Sequence, residues 1–221
     1  MTPILLIVAA YLLGAVPFGL LLSRLKGVDI RTVGSGNIGA TNVFRSVSKP
    51  LGIATFACDF LKGLLPACCF PILGKWITGT FQGPEIGLLC GVAAIAGHNW
   101  PVYLKFKGGK GIATSAGVLL GIAPQAVAWG LLSWIVLLLS TRYVSVASIG
   151  AAIVVPVVSW TLYSREGILL PIALTLLGAL AVWRHKTNIE RLINGTEHRF
   201  SFSGQNSEVR GQNEEKRDGA D

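Results

Sequence analysis

The sequence predicts an all-α membrane protein with seven transmembrane helices, an N-terminus outside and a C-terminus in the cytoplasm. The first observation behind this fold class is composition: 52% of the residues are hydrophobic, only 14% are charged, and the mean hydropathy is +0.60. Soluble proteins carry roughly 25% charged residues, because their surface faces water. The low charge content therefore indicates a surface that faces lipid.

The second observation is a series of long apolar runs. A helix needs about 20 residues to cross the ~30 Å hydrocarbon core of a bilayer. Runs of this kind lie at 3–23, 51–74, 85–104, 143–163 and 167–183. The stretch 112–140 is ambiguous, because Gly121 and Pro124 interrupt it. It forms either one long span or two short helices, at 112–122 and 125–140.

The third observation is the placement of Lys and Arg, which are enriched in cytoplasmic loops. With two short helices, the inner loops contain twelve of these residues: Arg24, Lys26, Arg31, Arg45, Lys49, Lys105, Lys107, Lys110, Arg142, Arg184, Lys186 and Arg191. The outer loops then contain two, Lys75 and Arg165. With one long span the split is nine against five, because the last four inner residues exchange sides with Arg165. Seven spans, some of them short, are therefore favoured.

The ends of the chain divide it into two parts. Residues 1–193 are predicted to form the transmembrane domain. Residues 194–221 have few apolar side chains and are expected to form a polar cytoplasmic tail that is largely disordered.

Charge and cysteine content limit the partners. The formal net charge of +8 lies mostly in the inner loops, where it suits membrane lipid and an anionic substrate rather than nucleic acid. The four cysteines all lie in apolar stretches: Cys58, Cys68, Cys69 and Cys90. We expect them to be small buried residues, neither disulfide partners nor metal ligands.

The first inner loop, Ser35 to Asn42, is dense in small polar residues, and Arg45 follows it. Its glycines let backbone N–H groups approach an anion, and Arg45 can hold phosphate oxygens in a bidentate geometry. The candidate binding residues are Ser35, Asn37, Gly39, Thr41, Asn42 and Arg45. The alternative is a polar turn that begins a helix, since Ser and Asn are common caps.

The second inner loop combines glycines, lysines and the start of a helix. Its candidates are Lys107, Gly108, Gly109, Lys110 and Gly111. The spacing is not that of a Walker A motif, but a helix N-terminus favours anions through its free N–H groups and its dipole. A basic loop of the positive-inside kind is the alternative, although it would need no glycines.

Three further sets of polar residues are candidates. His185 and Asn188 share a helix face, and contact with anionic lipid, the alternative role for their basic neighbours, does not explain them. Ser145 and Ser148 also share a face, but such hydroxyls often bond only to neighbouring helices. Asp59 and Lys62 either pair with each other or contact substrate. His98 either contacts substrate or belongs to an interfacial belt with Trp100.

Taken together, these motifs resemble the bacterial integral-membrane acyl-phosphate:glycerol-3-phosphate acyltransferases over roughly residues 3–197. The matching patterns are S-G-N-x-G-A-T-N at 35–42, D-x-x-K-G at 59–63, G-H…P…F-x-G-G-K-G-x-A-T at 97–114 and H-x-x-N-I-x-R-L-x-x-G-x-E at 185–197. The resemblance implies a seven-helix bundle in the bacterial plasma (inner) membrane, with its active site on the cytoplasmic face.

The resemblance also implies a reaction, the first step of phospholipid biosynthesis. An acyl group passes from acyl phosphate to the 1-hydroxyl of glycerol 3-phosphate, giving lysophosphatidic acid and phosphate. Lys110, Ser35 and His185 are the candidate catalytic residues, and Asn37, Arg45, Asn188 and, more weakly, Ser145 would line the site. The resemblance further implies that the substrate's own phosphate acts as base. We then expect His185 to be a phosphate ligand, and a role as general base is the alternative.

The chemistry needs little else. An acyl phosphate is a mixed anhydride, so we expect no cofactor and no metal, only two held phosphates and an oriented hydroxyl. No His-x4-Asp pair of the soluble-loop glycerolipid acyltransferases is present. A peripheral enzyme that produces acyl phosphate is a candidate partner. An organic-phosphate transporter is the alternative function, although transporters usually bind near the midplane in repeated halves, and a non-catalytic lipid-binding scaffold is a third.

Overall fold

The computed structural model describes residues 2–79 and 83–201, and this part of the chain folds into α-helices without β-strands. Ten α-helices follow one another in these two ranges. They are α1 (Thr2–Ala15), α2 (Phe18–Arg24), α3 (Ala40–Ser46), α4 (Lys49–Thr78), α5 (Gly83–Asn99), α6 (Ile112–Ile122), α7 (Pro124–Thr141), α8 (Val144–Leu162), α9 (Leu169–Arg184) and α10 (Lys186–Ile193). One 3-10 turn, Val102–Leu104, precedes α6.

Several of these helices are long and apolar enough to cross a membrane. By length and composition, four segments qualify: Pro3–Arg24, Lys49–Ile77, Pro124–Thr141 and Val144–Leu162. A fifth results if α9 and α10, which meet at a bend of 51°, form one span. Helices also stand at the remaining predicted positions, but α5 has 17 residues and α6 only 11. The chain is a multi-pass helical membrane protein, and the count of seven crossings stays a prediction.

The ambiguous stretch 112–140 forms two helices. Pro124 is the first residue of α7, a position where the missing N–H of proline costs no helical hydrogen bond. Ala123 before it has left the helical region (φ −146°, ψ 62°), as the residue before a proline tends to do. The break is buried, since Ala123 packs in a core cluster with Leu119, Val155 and Leu174. The two-helix interpretation is therefore correct.

Two predicted features are wrong in detail. The run 85–104 does not stay helical to its end, because α5 stops at Asn99 and Pro101 then leads into the 3-10 turn. Of the four cysteines expected to be buried only Cys90 is, whereas Cys58 and Cys68 are half-buried and Cys69 is exposed, because apolar residues of a membrane helix can face lipid. Within 2–79 and 83–201 the cysteines are free, and no three His, Cys, Asp or Glu side chains cluster as metal ligands would.

Glycines bring several pairs of helices into backbone contact, among them α1 with α5 and α4 with α6. In α1 and α5, a Cβ on Gly14 or Gly97 would overlap the backbone of the opposite helix. In α4 and α6, the same holds for Gly63 against Thr114 and for Gly117 against the opposite backbone. Small residues permit this close approach between helices in lipid. The packing fixes α6, and the loop that precedes it, directly beside α4.

Candidate active site

Asn42 lies at the centre of the first inner loop and is buried. Its amide nitrogen donates to three backbone carbonyls at 2.9–3.2 Å, those of Ile30, Val33 and Asn37. Its amide oxygen accepts hydrogen bonds from the Ser35 backbone N–H at 3.0 Å and from the Ser46 hydroxyl at 3.2 Å. The amide group of Asn42 therefore holds the loop together from inside.

The other candidates of this loop are more accessible. The Asn37 side chain accepts a hydrogen bond from the Gly39 N–H at 2.9 Å, just where α3 begins. Ser35 and Thr41 are exposed. Arg45, on α3, is half-buried, with one guanidinium nitrogen 3.5 Å from the Asn42 amide oxygen.

The second inner loop is held from both sides by distant residues; we call Gly108–Gly111 the glycine loop. On one side, the Arg184 guanidinium donates to the Gly109 carbonyl at 2.5 and 3.1 Å and to the Gly108 carbonyl at 3.1 Å. Arg184 also donates to the Asn99 carbonyl at 3.2 Å. On the other side, the His98 carbonyl accepts a hydrogen bond from the Gly109 N–H at 3.1 Å. The backbone of Gly108 and Gly109, immediately before Lys110, is therefore fixed from both sides.

Lys110 projects from the glycine loop toward α10, where its ammonium donates a hydrogen bond to the Asn188 amide oxygen. Burial lowers the pKa of Lys110 to about 8. The Glu197 carboxylate works to raise this pKa, while the guanidinium groups of Arg191, Arg184 and Arg45 lower it. Lys110 therefore lies among several cationic side chains and close to one carboxylate.

Glu197 is that carboxylate, and sequence analysis gave it no role. It accepts hydrogen bonds from the Asn188 amide at 2.6 Å and from the Arg191 guanidinium at 2.7 Å. Burial works to raise the pKa of Glu197, but these hydrogen bonds outweigh it and lower the pKa below its usual value. Ser145 is buried beside this carboxylate without reaching hydrogen-bond geometry. The sequence signal that could have found Glu197 is the G-x-E that ends the last motif.

His185 lies at the break between α9 and α10, and only 3% of it is exposed. Its Nδ1 is 2.8 Å from the Ala181 carbonyl oxygen, which can only accept, so Nδ1 must carry the proton. Burial, helped by the nearby Lys110 charge, lowers the pKa of His185 to about 4. The ring is therefore neutral at neutral pH, and its Nε2 presents a lone pair.

This tautomer bears on the phosphate contact expected of His185, which stays a prediction. A histidine that donates a hydrogen bond to phosphate through Nε2 needs a proton there, and a neutral ring with a protonated Nδ1 has none. The expected face shared by His185 and Asn188 is confirmed, since both side chains are buried and lie close to Lys110.

A cavity of about 240 Å³ opens where the three motifs meet. It is lined by Asn37, Lys110, Trp183, Arg184, Lys186 and Thr187. The first inner loop, the glycine loop and the α9–α10 junction thus share one concave surface with three cationic side chains. The contribution of Arg184 and Lys186 to the cavity was not predicted, because spacing alone does not distinguish them from juxtamembrane basic residues. Thr187 also lines the cavity and had no predicted role.

Other predicted residues lie away from this cavity. Lys107 is exposed, and Ser148 accepts a hydrogen bond from the Trp134 indole at 3.3 Å. Asp59 and Lys62 pair with each other, as one of the two expectations held, with 2.8 Å between Lys62 Nζ and Asp59 Oδ1. His98 packs behind the glycine loop, where a Cβ on Gly109 would overlap its ring.

Comparison with known proteins identifies the family. Residues 4–195 match the family model described as glycerol-3-phosphate acyltransferase. The chain belongs to this family. A glycerol-3-phosphate acyltransferase from Geotalea daltonii (strain DSM 22248 / JCM 15807 / FRC-32) is 46% identical over 198 residues, which cover 89% of this chain and 97% of that protein. One from Aquifex aeolicus (strain VF5) is 42% identical over 204 residues, covering 90% and 100%.

The fold agrees with that of a solved family member. A crystal structure of PlsY (YgiH), an integral membrane glycerol 3-phosphate acyltransferase in its glycerol 3-phosphate form, matches with a TM-score of 0.80 and 39% identity, covering 91% of this chain and 96% of that chain. Its lysophosphatidic acid form matches with a TM-score of 0.78 and 38% identity, covering 92% and 98%. The chain is thus a glycerol-3-phosphate acyltransferase, and the transporter and scaffold alternatives are not supported.

Proposed function

We propose that this acyltransferase uses acyl phosphate as its donor and transfers the acyl group to the 1-hydroxyl of glycerol 3-phosphate. The hydroxyl oxygen attacks the acyl carbon, the bond between that carbon and the phosphate oxygen breaks, and phosphate leaves with the electron pair. The hydroxyl proton ends on the released phosphate. The observation that supports this proposal is the cavity in which Lys110, Arg184 and Lys186 converge beside the neutral His185.

The cationic side chains have different tasks in this proposal. Arg184 already donates to three backbone carbonyls, so its role is to shape the glycine loop. Lys110 and Lys186 then provide charge for phosphate oxygens, and hydrogen bonds between charged groups are roughly twice as strong as neutral ones. The start of α6 adds to this, because Gly111 offers no side-chain cap and the first turn favours an anion.

His185 is assigned to the hydroxyl rather than to phosphate. Its Nε2 lone pair can accept a hydrogen bond from the 1-hydroxyl and aim the oxygen at the acyl carbon. A group with a pKa of about 4 is a poor general base at neutral pH. A phosphate monoester has a second pKa near 6 and inorganic phosphate is more basic, so the leaving phosphate is a better final acceptor of the proton than His185.

The remaining candidates divide into residues that position other side chains and residues that contact substrate. Asn188 and Glu197 hold Lys110 in place, with Ser145 packed behind them. Asn42 holds the first inner loop, so we assign it a positioning role. We propose direct substrate contact for the following residues of the two inner loops that had been expected to bind: Ser35, Asn37, Gly39, Thr41, Arg45 and Gly111. Gly108 and Gly109, whose carbonyls accept hydrogen bonds from Arg184, shape the glycine loop instead. Lys107 lies away from the cavity, so we assign it no direct contact.

The proposal includes a topology: seven spans in a bacterial inner membrane, with the cavity on the cytoplasmic face. The twelve-to-two division of Lys and Arg supports it. Of the segments predicted to face outward or to form the tail, residues 80–82 and 202–221 lie outside the described part of the chain. A test in a cysteine-free background introduces cysteine at Glu166 or at Lys107. Only the Glu166→Cys protein should react with an impermeant thiol reagent in intact cells. Labelling of the Lys107→Cys protein alone would show that the chain has the opposite orientation.

The donor is tested directly. Purified protein in lipid vesicles is given glycerol 3-phosphate with either acyl phosphate or acyl-coenzyme A as sole donor. We expect lysophosphatidic acid and phosphate in equal amounts from acyl phosphate and no turnover from acyl-coenzyme A. Comparable turnover with acyl-coenzyme A would refute the proposed donor while leaving the acyltransferase activity intact. The peripheral acyl-phosphate-producing enzyme stays a candidate partner, to be sought by crosslinking at the cytoplasmic face.

A further inference from the structure

Three titratable side chains are buried together outside the cavity: Asp59 and Lys62 on α4 and His98 on α5. They are exposed by 2%, 2% and 5%. Asp59 Oδ1 lies 2.8 Å from Lys62 Nζ and 3.6 Å from His98 Nδ1. Ionisable groups within a membrane bundle are costly and indicate a function by default. We call these three residues the buried polar cluster.

The cluster is anchored on the side away from the glycine loop. Lys62 Nζ donates a hydrogen bond to the Val16 carbonyl at 2.8 Å and lies 5.6 Å from the centre of the Phe18 ring. These two residues flank Pro17, which lacks an N–H and separates α1 from α2. Lys62 thus ties the Asp59 carboxylate to a fixed point where three helices meet.

The cluster also touches the glycine loop through His98. The His98 carbonyl accepts the Gly109 N–H at 3.1 Å, and a Cβ on Gly109 would overlap His98 Nε2. A Cβ on Gly108 would overlap the His98 carbonyl oxygen. His98 therefore packs directly against Gly108 and Gly109 on one side, while Arg184 donates hydrogen bonds to their carbonyls from the opposite side.

We propose that Asp59 and His98 are positioning residues for phosphate binding, and that Lys62 anchors and neutralises Asp59. The carboxylate packs against the His98 ring, with 3.6 Å between Oδ1 and Nδ1, and limits where the ring can lie. The ring and the His98 carbonyl position the glycine loop, and the loop sets Lys110 in the cavity. This proposal rests on the proposed phosphate-binding role of the glycine loop. A purely structural ion pair is the competing explanation, and it would need no contact between His98 and the glycine loop.

The first test is a double-mutant cycle between His98→Ala and Gly109→Ala. The readouts are the KM for glycerol 3-phosphate, the KM for acyl phosphate, kcat, and the inhibition constant of inorganic phosphate. We expect Gly109→Ala alone to weaken phosphate inhibition about tenfold or more, because the new methyl group collides with the ring. In the His98→Ala background, Gly109→Ala should weaken phosphate inhibition by a factor that is at least about threefold smaller, since residues in contact couple by that much or more.

The second test separates positioning from stability. Asp59→Leu with Lys62→Met removes both charges at similar volume, an exchange that often leaves stability unchanged. We expect a melting temperature within a few degrees of wild type but a several-fold weaker inhibition by phosphate, with KM affected more than kcat. Ser159→Ala, which removes a buried hydroxyl bonded to the Pro156 carbonyl on α8, is the matched control and should change none of these readouts.

Each outcome decides something. Additive effects of His98→Ala and Gly109→Ala, or wild-type phosphate inhibition in a folded Asp59→Leu/Lys62→Met protein, would overturn the positioning role alone. If that double variant does not fold, the His98–Gly109 cycle decides. Acyl transfer by a wild-type protein that inorganic phosphate does not inhibit would overturn the phosphate role of the glycine loop and this proposal with it.

Discussion

The first inner loop and the glycine loop both border the cavity, yet different parts of the chain hold them. In the first inner loop one internal side chain, Asn42, binds backbone carbonyls that are at most 12 residues away. The glycine loop is held by Arg184, about 75 residues further along the chain, and by His98 beneath it. The first loop therefore organises itself, whereas the second depends on α5 and α9 being packed.

This difference predicts where the site is most sensitive. Removing an internal support should damage one loop, whereas removing an external clamp should also detach the glycine loop from the α9–α10 junction. The largest effect is therefore expected from Arg184→Gln, which replaces the guanidinium fork by a neutral amide. Hydrogen bonds to charged groups contribute about 1.5–3 kcal/mol each, so the loss of several should lower kcat/KM by more than about a hundredfold.

Arg184→Lys is the matched comparison, because it keeps the charge but not the planar fork. It should recover only a small part of the activity if the geometry of the clamp matters. A lysine variant with nearly full activity would show that Arg184 acts through its charge in the cavity, and the contrast between the two loops would then fail.

Lys110→Met tests the group that the clamp positions. Loss of one charged hydrogen bond of about 1.5–3 kcal/mol should lower kcat/KM by about ten- to more than a hundredfold. The effect should fall on kcat beyond any effect on KM, if Lys110 contacts the phosphate that leaves. A change confined to KM would instead place Lys110 on a phosphate that is bound equally in ground and transition states.

The pH dependence provides a second test of Lys110. With a pKa of about 8, the ammonium is charged below that pH and neutral above it. If the charge is required, kcat/KM should fall as pH rises through about 8. Lys110→Arg stays charged throughout this range, so its profile should lose that alkaline limb even if its overall rate is lower. An unchanged limb in the arginine variant would assign it to another group.

Asn42→Asp should have a smaller effect, confined to the first inner loop. The aspartate keeps an acceptor for the Ser35 N–H but removes the donors to three carbonyls. An unsatisfied buried polar group costs about 1–3 kcal/mol, which corresponds to a loss of about five- to a hundredfold at about 1.4 kcal/mol per decade. Thermal unfolding and the KM values of both substrates measure it. A loss as large as that of Arg184→Gln would show that the two loops are not independent.

The same contrast explains how far the sequence predicts the site. The existence of a polar first inner loop was predictable, because its small polar residues and glycines are contiguous and the carbonyls that Asn42 binds are at most 12 residues away. The substrate contacts expected of its residues stay predictions. The division of 112–140 into two helices was predictable too. Pro124 interrupts the helix through its own local geometry, and the number of Lys and Arg residues on each side favoured two helices. The clamp by Arg184 was not, because a basic residue at the end of a span fits contact with lipid equally well.

Burial accounts for the rest of what sequence analysis missed. Glu197 lies in a segment assigned to the polar tail, and only the fold brings it against Asn188 and Arg191. The boundary at residue 193 stays a prediction, although this first part of the tail contacts the site. The tautomer of His185 depends on the Ala181 carbonyl one turn earlier and on burial against Lys110, which residue spacing does not reveal.

His185 gives the smallest expected change in rate and the sharpest test of mechanism. Asparagine can replace Nδ1 and donate to the Ala181 carbonyl, but it has nothing at the position of Nε2. Glutamine can reach that position with its amide oxygen, which accepts a hydrogen bond. Because one neutral hydrogen bond contributes about 0.5–1.5 kcal/mol, we expect His185→Asn to lower kcat/KM about two- to tenfold and His185→Gln to lower it less.

The pH profile then decides between the two roles of His185. With a pKa of about 4, the ring is neutral above that pH, so a role as hydrogen-bond acceptor is lost only as pH falls through about 4. We therefore expect a low-pH limb of kcat/KM in the wild type that His185→Gln removes. A phosphate ligand needs the protonated ring, so its contribution would have the opposite sign and disappear as pH rises through the pKa. Activity that increases toward low pH, and does so only when His185 is present, would show that the ring binds phosphate as a cation.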